Sequence, residues 1–306
     1  MKETFPVYDI CTLSQFTQED ILISRFGSYL KVHKNLHLPH KHNFYHLVLF
    51  TEGAGHHAID FKSFTVVPYQ IYFMTPGQVH SWSFEGKVDG YVINFSEAFF
   101  RSFLHRSDYL EQFSFFSGNI EDQVVNIPDD LLEKVKGLFE QIIQESEQSN
   151  NLSADMVRLL LLQIFIVLGR TNFSKQPSEV FSYNYTLLKN FQKLIDQNFR
   201  TLRMPKEYAA LLYITPNHLN ALCNDLLGIS AGEVIRRRVG LEAKRLLVNF
   251  DLSITEIAGQ LNFQDNSYFT KFFKKLEGVT PEEFRNEMKT LTKLNFKQNE
   301  NANSRY

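Results

Sequence analysis

Four histidines, His40, His42, His46 and His80, stand close together in the first hundred residues of this 306-residue chain. Neutral imidazoles can ligate a divalent transition metal, and without one they can donate to and accept from a small organic molecule. A second polar set lies nearer the end. Asn266, Ser267, Thr270, Lys271 and Lys274 share one side of a helical stretch whose Phe269, Phe272 and Phe273 recur at i, i+3 and i+4. Asn and Lys are suited to the edges of adenine and guanine, and basic groups to phosphates. No Walker loop, dinucleotide fingerprint or serine-nucleophile elbow occurs anywhere in the chain.

Local signals bound the helix that presents the second set. Ser253 with Glu256 three residues on is a capping box that starts a helix at Ile254, with Ile257, Ala258 and Leu261 on its inner face. Asn262 stands where a residue able to enter the left-handed region is wanted, Asp265 can cap the next helix, and Gly278 ends it. Thr280, Pro281 and Glu283 then open a closing helix. The pattern reads as a helix-turn-helix. It is also duplicated: Ala209, Leu212, Ile214, Leu219, Leu222, Gly228, Ser230 and Glu233 take the places held later by Ala258, Leu261, Phe263, Phe269, Phe272, Gly278, Thr280 and Glu283. The offset is 49 residues before the turn and 50 after it, which puts one extra residue between Phe263 and Phe269. Thr215 and Pro216 start the earlier second helix, and Ser230 with Glu233 caps a long helix running to about Asn249.

With these residues in view, the region from Tyr183 to Met288 resembles the DNA-binding domain of the AraC/XylS family of bacterial transcription regulators, in which one long helix joins two helix-turn-helix units. The matching residues are LEAKRLL at Leu241 to Leu247, Ile257 and Ala258, Asn262 and Phe263, SYF at Ser267 to Phe269, FFKK at Phe272 to Lys275, Gly278, and TPEEFR at Thr280 to Arg285. The family usually has Gly at the place of Asn262, and Asn is well able to replace it at positive φ. The resemblance implies that Asn266, Ser267, Thr270 and Lys271 face DNA, with Lys274 near its backbone. In the first unit it places Asn217, His218, Asn220 and Ala221 similarly, with Asn224 beyond. Ala221 stands where many relatives have Arg and can offer only a methyl contact. The first recognition helix has no Lys or Arg and carries Asp225, so phosphate contacts there are expected from Arg236, Arg237, Arg238, Lys244 and Arg245 on the linking helix.

From Ile21 to Phe95 short apolar or alternating runs are separated by Gly, Pro and Asp, which argues for a small barrel or sandwich. PHKHNFYHLVLF at Pro39 to Phe50 and TPGQVHSW at Thr75 to Trp82 resemble the cupin-like sensory domain of the arabinose-regulator branch of the family. That resemblance implies a closed cupin-like β-barrel whose His40, His42, His46, His80 and Trp82 contact a small effector such as a sugar or an aromatic acid; packing within the core is the alternative for these side chains. Alternation puts His40 and His42 on one face, and His46 with them if the strand is regular. Enzymatic cupins hold a metal with such histidines but normally place a carboxylate near the position of His46, and sensory relatives usually bind none, so no metal and no cofactor is expected. His56 and His57 could line the pocket or belong to a plain hairpin.

The helical stretches Asp130 to Glu147 and Ser153 to Gly169 follow, and the second is apolar almost all round from Leu159 to Leu168, which asks for cover on two sides. A second subunit, as in family relatives, or packing within one chain would supply it. Residues 171–182 read as a linker and 291–306 as a polar tail. The chain's charge of -2 divides into -5 over residues 1–200 and +3 over residues 201–306. Cys11 and Cys223 have no metal-like or redox spacing, and no signal peptide or run of 18 apolar residues is present, so a cytoplasmic protein without membrane contact is expected.

The expected fold is a two-domain α+β chain: residues 1–170 form an N-terminal cupin-like β-barrel with dimerisation helices, and residues 183–290 form a C-terminal all-α domain with two helix-turn-helix units. The expected function is that of a non-enzymatic, sequence-specific regulator of transcription, a ligand-responsive activator binding double-stranded promoter DNA as a homodimer and acting on RNA polymerase. Asn217, His218, Asn220, Ala221, Asn224, Arg236, Asn266, Ser267, Thr270, Lys271 and Lys274 are its candidate DNA contacts. The alternatives are a cupin-type metalloenzyme fused to a DNA-binding module, and a repressor or constitutive regulator with a vestigial pocket.

Overall fold

The computed structural model describes residues 7–10, 20–33, 36, 39–101, 103–104, 109–116, 120–148, 151–173 and 179–290. They gather into two compact units, one spanning Pro6–Lys175 and one holding Gln176–Tyr306. Cys11, residues 174–178 of the expected linker and the tail 291–306 lie outside the described residues.

The first unit opens with β1 (Val7–Tyr8), β2 (Ile21–Arg25) and helix α1 (Phe26–Val32), then β3 (His40–His42), β4 (Tyr45–Glu52), β5 (Gly55–Ile59) and β6 (Lys62–Thr65). It continues through β7 (Gln70–Met74), β8 (Val79–Phe84), β9 (Asp89–Phe95), α2 (Glu97–Arg101), β10 (Val124–Asn126), α3 (Asp129–Glu147) and α4 (Ser153–Phe173). The strands form two five-stranded sheets, ordered β1-β3-β8-β5-β6 and β10-β7-β4-β9-β2. The expected closed cupin-like barrel is therefore corrected: among the described residues neither sheet returns to pair its last strand with its first. Each runs out on short edge strands, β1 and β6 of two and four residues in one sheet, β10 and β2 of three and five in the other. The closed barrel was implied by the cupin resemblance; the alternation, which left barrel and sandwich open, reports which face of a strand is buried and is silent about its ladder partner.

The two open sheets lie face to face over a core made from both, with Val48, Phe50, Tyr72 and Val92 from one, Ile59 and Trp82 from the other, and Phe26 of α1. On the opposite face of β4, β7 and β9, Leu47, Leu49, Ile71, Phe73 and Ile93 pack in a second core with α3 and α4. A sheet covered on both sides explains why QIYFM is buried at every position instead of alternating. Helix α3 contributes Val135, Leu138, Phe139 and Ile142, and α4 contributes Leu161, Ile164, Phe165 and Leu168. Leu152, Met156 and Leu159, on or just before α4, stay 76%, 47% and 51% exposed along one stripe.

The second unit is all helical: α5 (Glu179–Asn198), α6 (Pro205–Leu211), α7 (Pro216–Leu227), α8 (Ala231–Leu247), α9 (Ile254–Gln260), α10 (Asn266–Glu277) and a last helix, α11, over residues 281–290. Helix α8 packs against both α7 and α10. Gly240 makes the second contact close, since a Cβ there would stand 2.1 Å from Leu276 Cδ2. Among the described residues no helix is long and apolar enough to cross a membrane.

Candidate nucleic-acid interface and histidine cluster

The caps read from sequence set the second unit's exposed helices. Ser253 accepts from Glu256 N at 3.1 Å and Glu256 Oε2 accepts in turn from Ser253 N at 2.7 Å, closing the capping box of α9. Asp265 accepts from Tyr268 N at 2.7 Å at the start of α10, and Thr215 accepts from His218 N at 3.1 Å at the start of α7. Both helices end on glycine in the left-handed region, Gly228 at φ 70° and Gly278 at φ 83°. At α8, Ser230 caps as expected, but the Glu233 carboxylate turns away to Arg236 and Arg237. Those two guanidiniums outweigh the partial burial that would raise its pKa and hold it below the usual carboxylate range.

The two turns repeat each other bond for bond. Ile214 N reaches Ala209 O at 3.0 Å and Tyr213 N reaches Ala210 O; Phe263 N reaches Ala258 O at 2.9 Å and Asn262 N reaches Gly259 O. Asn262 takes φ 56° in its turn, and Tyr213 takes the same φ 56° in the other. Each copy then joins a seven-residue helix to a twelve-residue one. After the turn the second copy holds Gln264 where the first goes straight from Ile214 to its cap, and this is the extra residue the spacing demanded.

On α7, Asn217, His218, Ala221 and Asn224 are exposed, and on α10 so are Asn266, Ser267, Lys271 and Lys274, with Thr270 half-buried. Asn220 is exposed too, but its carboxamide oxygen accepts from Ala231 N at 2.9 Å and so ties α7 to the start of α8. The linking helix is more internally paired than its sequence suggests. Arg236 is held by Glu233 at 2.8 Å, and Arg238 by Asp196 at 2.6 Å with its guanidinium 4.1 Å from the Phe199 ring. Lys244 pairs with Glu277 at 3.2 Å. Tyr213 in the first turn, 96% exposed, and Tyr268 on α10, 60% exposed, were not singled out as contacts from sequence. Their only signal was an aromatic ring at a position the apolar stripe does not use.

In the first unit all the candidate ligand residues meet. His40, His42, His46, His80 and Trp82 are each 3% exposed or less. His40 and His42 point inward from β3, and His40 faces His80 of β8 across the ladder with ring centroids 4.1 Å apart. His46 arrives from the other sheet, because residues 43 and 44 break the strand; its ring still lies 4.9 Å from that of His42 and 5.2 Å from that of His80. His57 joins them, its Nε2 lying 3.1 Å from His80 Nδ1, while His56 next to it is exposed. The signal for choosing between these two was strand parity, since Gly55, His57 and Ile59 share the buried face of β5.

Burial and neighbouring imidazoles push His42, His57 and His80 well below the ordinary histidine value. Burial also takes His46 down to about 3 against a raising bond from Asn94. His40, His42 and His80 each offer one ring nitrogen within 4.8 Å of the others.

A family model described as a helix-turn-helix domain matches residues 208–287, and one described as an AraC-like ligand binding domain matches residues 24–162. The chain is 21% identical over 250 residues, 80% of its own length and 86% of the relative's, to the HTH-type transcriptional activator RhaR of Mannheimia succiniciproducens. It is 29% identical over 102 residues, 33% of its length and 13% of the relative's, to the HTH-type transcriptional regulator YtdP of Bacillus subtilis. A crystal structure of unsaturated fatty acid bound ToxT from Vibrio cholerae strain SCE256 is 12% identical, covers 89% of this chain and 97% of that one, and has a TM-score of 0.44.

Proposed function

We propose that this chain, a sequence-specific DNA-binding transcription regulator of the AraC/XylS-like family, activates transcription in the cytoplasm as a homodimer that responds to a small effector held in its N-terminal unit. The observation that carries the DNA half is the pair of matched turns, each setting a polar helix face outward. Asn217 on α7 and Asn266 and Lys271 on α10 read base edges. Ser267, Thr270, His218, Ala221 and Asn224 fill out those faces, Lys274 and Arg236 meet phosphate, and Asn220 holds α7 in position. Effector contact falls to His40, His42, His46, His80 and Trp82. The apolar stripe of Leu152, Met156 and Leu159 is the face a second copy covers.

Transcription in vitro with RNA polymerase on promoter fragments selected by the protein tests the activator reading. Output is expected to rise with added protein, and the double variant Met156→Glu, Leu159→Glu is expected to sediment as a monomer and to lose most of the rise. A fall in output with added protein would make it a repressor. An unchanged sedimentation coefficient in the double variant would place the dimer contact elsewhere.

A further inference from the structure

We infer that Tyr213, in the turn of the first copy, is a DNA contact whose phenol hydroxyl donates to a backbone phosphate beside the groove that α7 enters. This rests on the reading of α7 as a base-reading helix, and the experiment below separates the two.

Nothing inside the molecule accounts for a tyrosine at this position. Its backbone stands at φ 56°, in the left-handed region where a bulky side chain crowds the neighbouring carbonyl. The second copy meets the same geometry with Asn262, a residue that enters the region easily. The Tyr213 side chain gives nothing back to the fold. It is 96% exposed, and among the described residues neither its ring nor its hydroxyl has an aromatic, cationic or hydrogen-bonding partner. Tyr208 and Tyr268 show the contrast: Tyr208 is buried and donates to Leu202 O at 3.0 Å, and Tyr268 sets its ring 5.7 Å from that of Phe263. A strained residue with no internal use points to an external one.

Position and chemistry identify the partner. From Tyr213 the exposed surface runs on through Thr215, Pro216, Asn217 and His218 to the outward face of α7. The first residues of a recognition helix reach base edges, so a residue ahead of its cap lies outside the groove, beside the sugar-phosphate rim. Helix α7 carries no Lys or Arg, and tyrosine hydroxyls are among the neutral groups that donate to phosphate oxygens. The second copy, with Lys271 and Lys274 exposed on α10, has cationic groups for that task and holds Asn262 in its turn. The residue that departs from the easy choice thus stands in the copy that lacks cations.

Fluorescence anisotropy of the full-length protein on a selected operator and on a random duplex, over a series of salt concentrations, tests the contact. Tyr213→Phe keeps the ring and the backbone and removes only the hydroxyl. Its affinity is expected to fall roughly 5-fold on both DNAs. The slope of log affinity against log salt should stay as it was, because a neutral donor releases no counterion. Tyr213→Asn should lose affinity by a similar factor and yet melt about 2–5 °C higher, since it relieves the backbone and gives up no contact within the protein. Unchanged affinity in both variants overturns the inference. So does a loss confined to the operator, which would make the hydroxyl a base reader, and so does a lower melting temperature in Tyr213→Asn, which would make the ring part of the fold. Asn217→Ala separates the inference from its premise. If that variant alone loses operator affinity, only the Tyr213 contact fails; if neither it nor Tyr213→Phe changes binding, α7 does not face DNA and both readings fall.

Discussion

The two helix-turn-helix copies have the same backbone and different electrostatics. Helices α7 and α10 are equal in length, follow turns with the same hydrogen bonds, and are stopped by the same left-handed glycine. Yet α10 carries Lys271, Lys274 and Lys275, whereas α7 has no Lys or Arg and carries Asp225. The difference teaches that the placing of a reading helix and the supply of charge to hold phosphate are separable tasks. In the first copy the shape was kept while the charge was not. On the linking helix, Arg238 and Lys244 are each already paired with an acid.

The comparison can be broken most forcefully in the core the copies share. Phe269 and Leu219 are fully buried counterparts. Phe269→Ala is expected to destabilise the second unit by about 3–5 kcal/mol and Leu219→Ala by about 2–5 kcal/mol. Denaturant unfolding followed by circular dichroism should show one shifted transition for that unit in both variants. Separate transitions for the two copies would show that α8 does not couple them.

A smaller effect separates reading from positioning. Asn217→Ala and Asn266→Ala should each cost about 1–3 kcal/mol on a selected operator and little on random DNA. Asn220→Ala removes the acceptor at the start of α8, so a loss of about 0.5–2 kcal/mol should appear in stability, with operator and random DNA affected alike. Equal losses on both DNAs for Asn217→Ala would strip the first copy of its base-reading role.

The smallest expected effect is on salt dependence. Lys274→Ala should reduce the slope of log affinity against log salt by roughly 0.9, the loss of one phosphate contact. Arg238→Ala, whose guanidinium is committed to Asp196 and Phe199, should leave that slope alone. A slope change of the same size for Arg238 would show that its ion pair opens on DNA and that the linking helix does compensate for α7.

Much of the second unit could be read from sequence because its signals are local. Ser253 and Glu256, Asp265 and Tyr268, and Thr215 and His218 are three residues apart, and a cap acts over that range. The extra residue at Gln264 followed from the offset between copies. What escaped depended on distant chain. Nothing near Arg238 announces Asp196, 42 residues away, and nothing near Asn220 announces Ala231 N. In the first unit the shared face of His40 and His42 was legible from alternation, while their meeting with His80 was only what the cupin resemblance implied. The barrel was not, since closure depends on whether edge strands meet and alternation carries no information on that. His46 reached the cluster from the opposite sheet because residues 43 and 44 break the strand, and the expected shared face had required a regular one.

Arg203, just before the first copy, donates to the carbonyl of Leu261 and lies 4.9 Å over the Phe263 ring, in the turn of the second copy. Together with the close approach at Gly240, this clamps the two copies to one frame. With both copies meeting one DNA as proposed, one base pair inserted between the two segments would turn one of them by about 34° around the DNA axis. Operator affinity is expected to fall on that insertion, because Arg203 and the close approach at Gly240 tie the copies together.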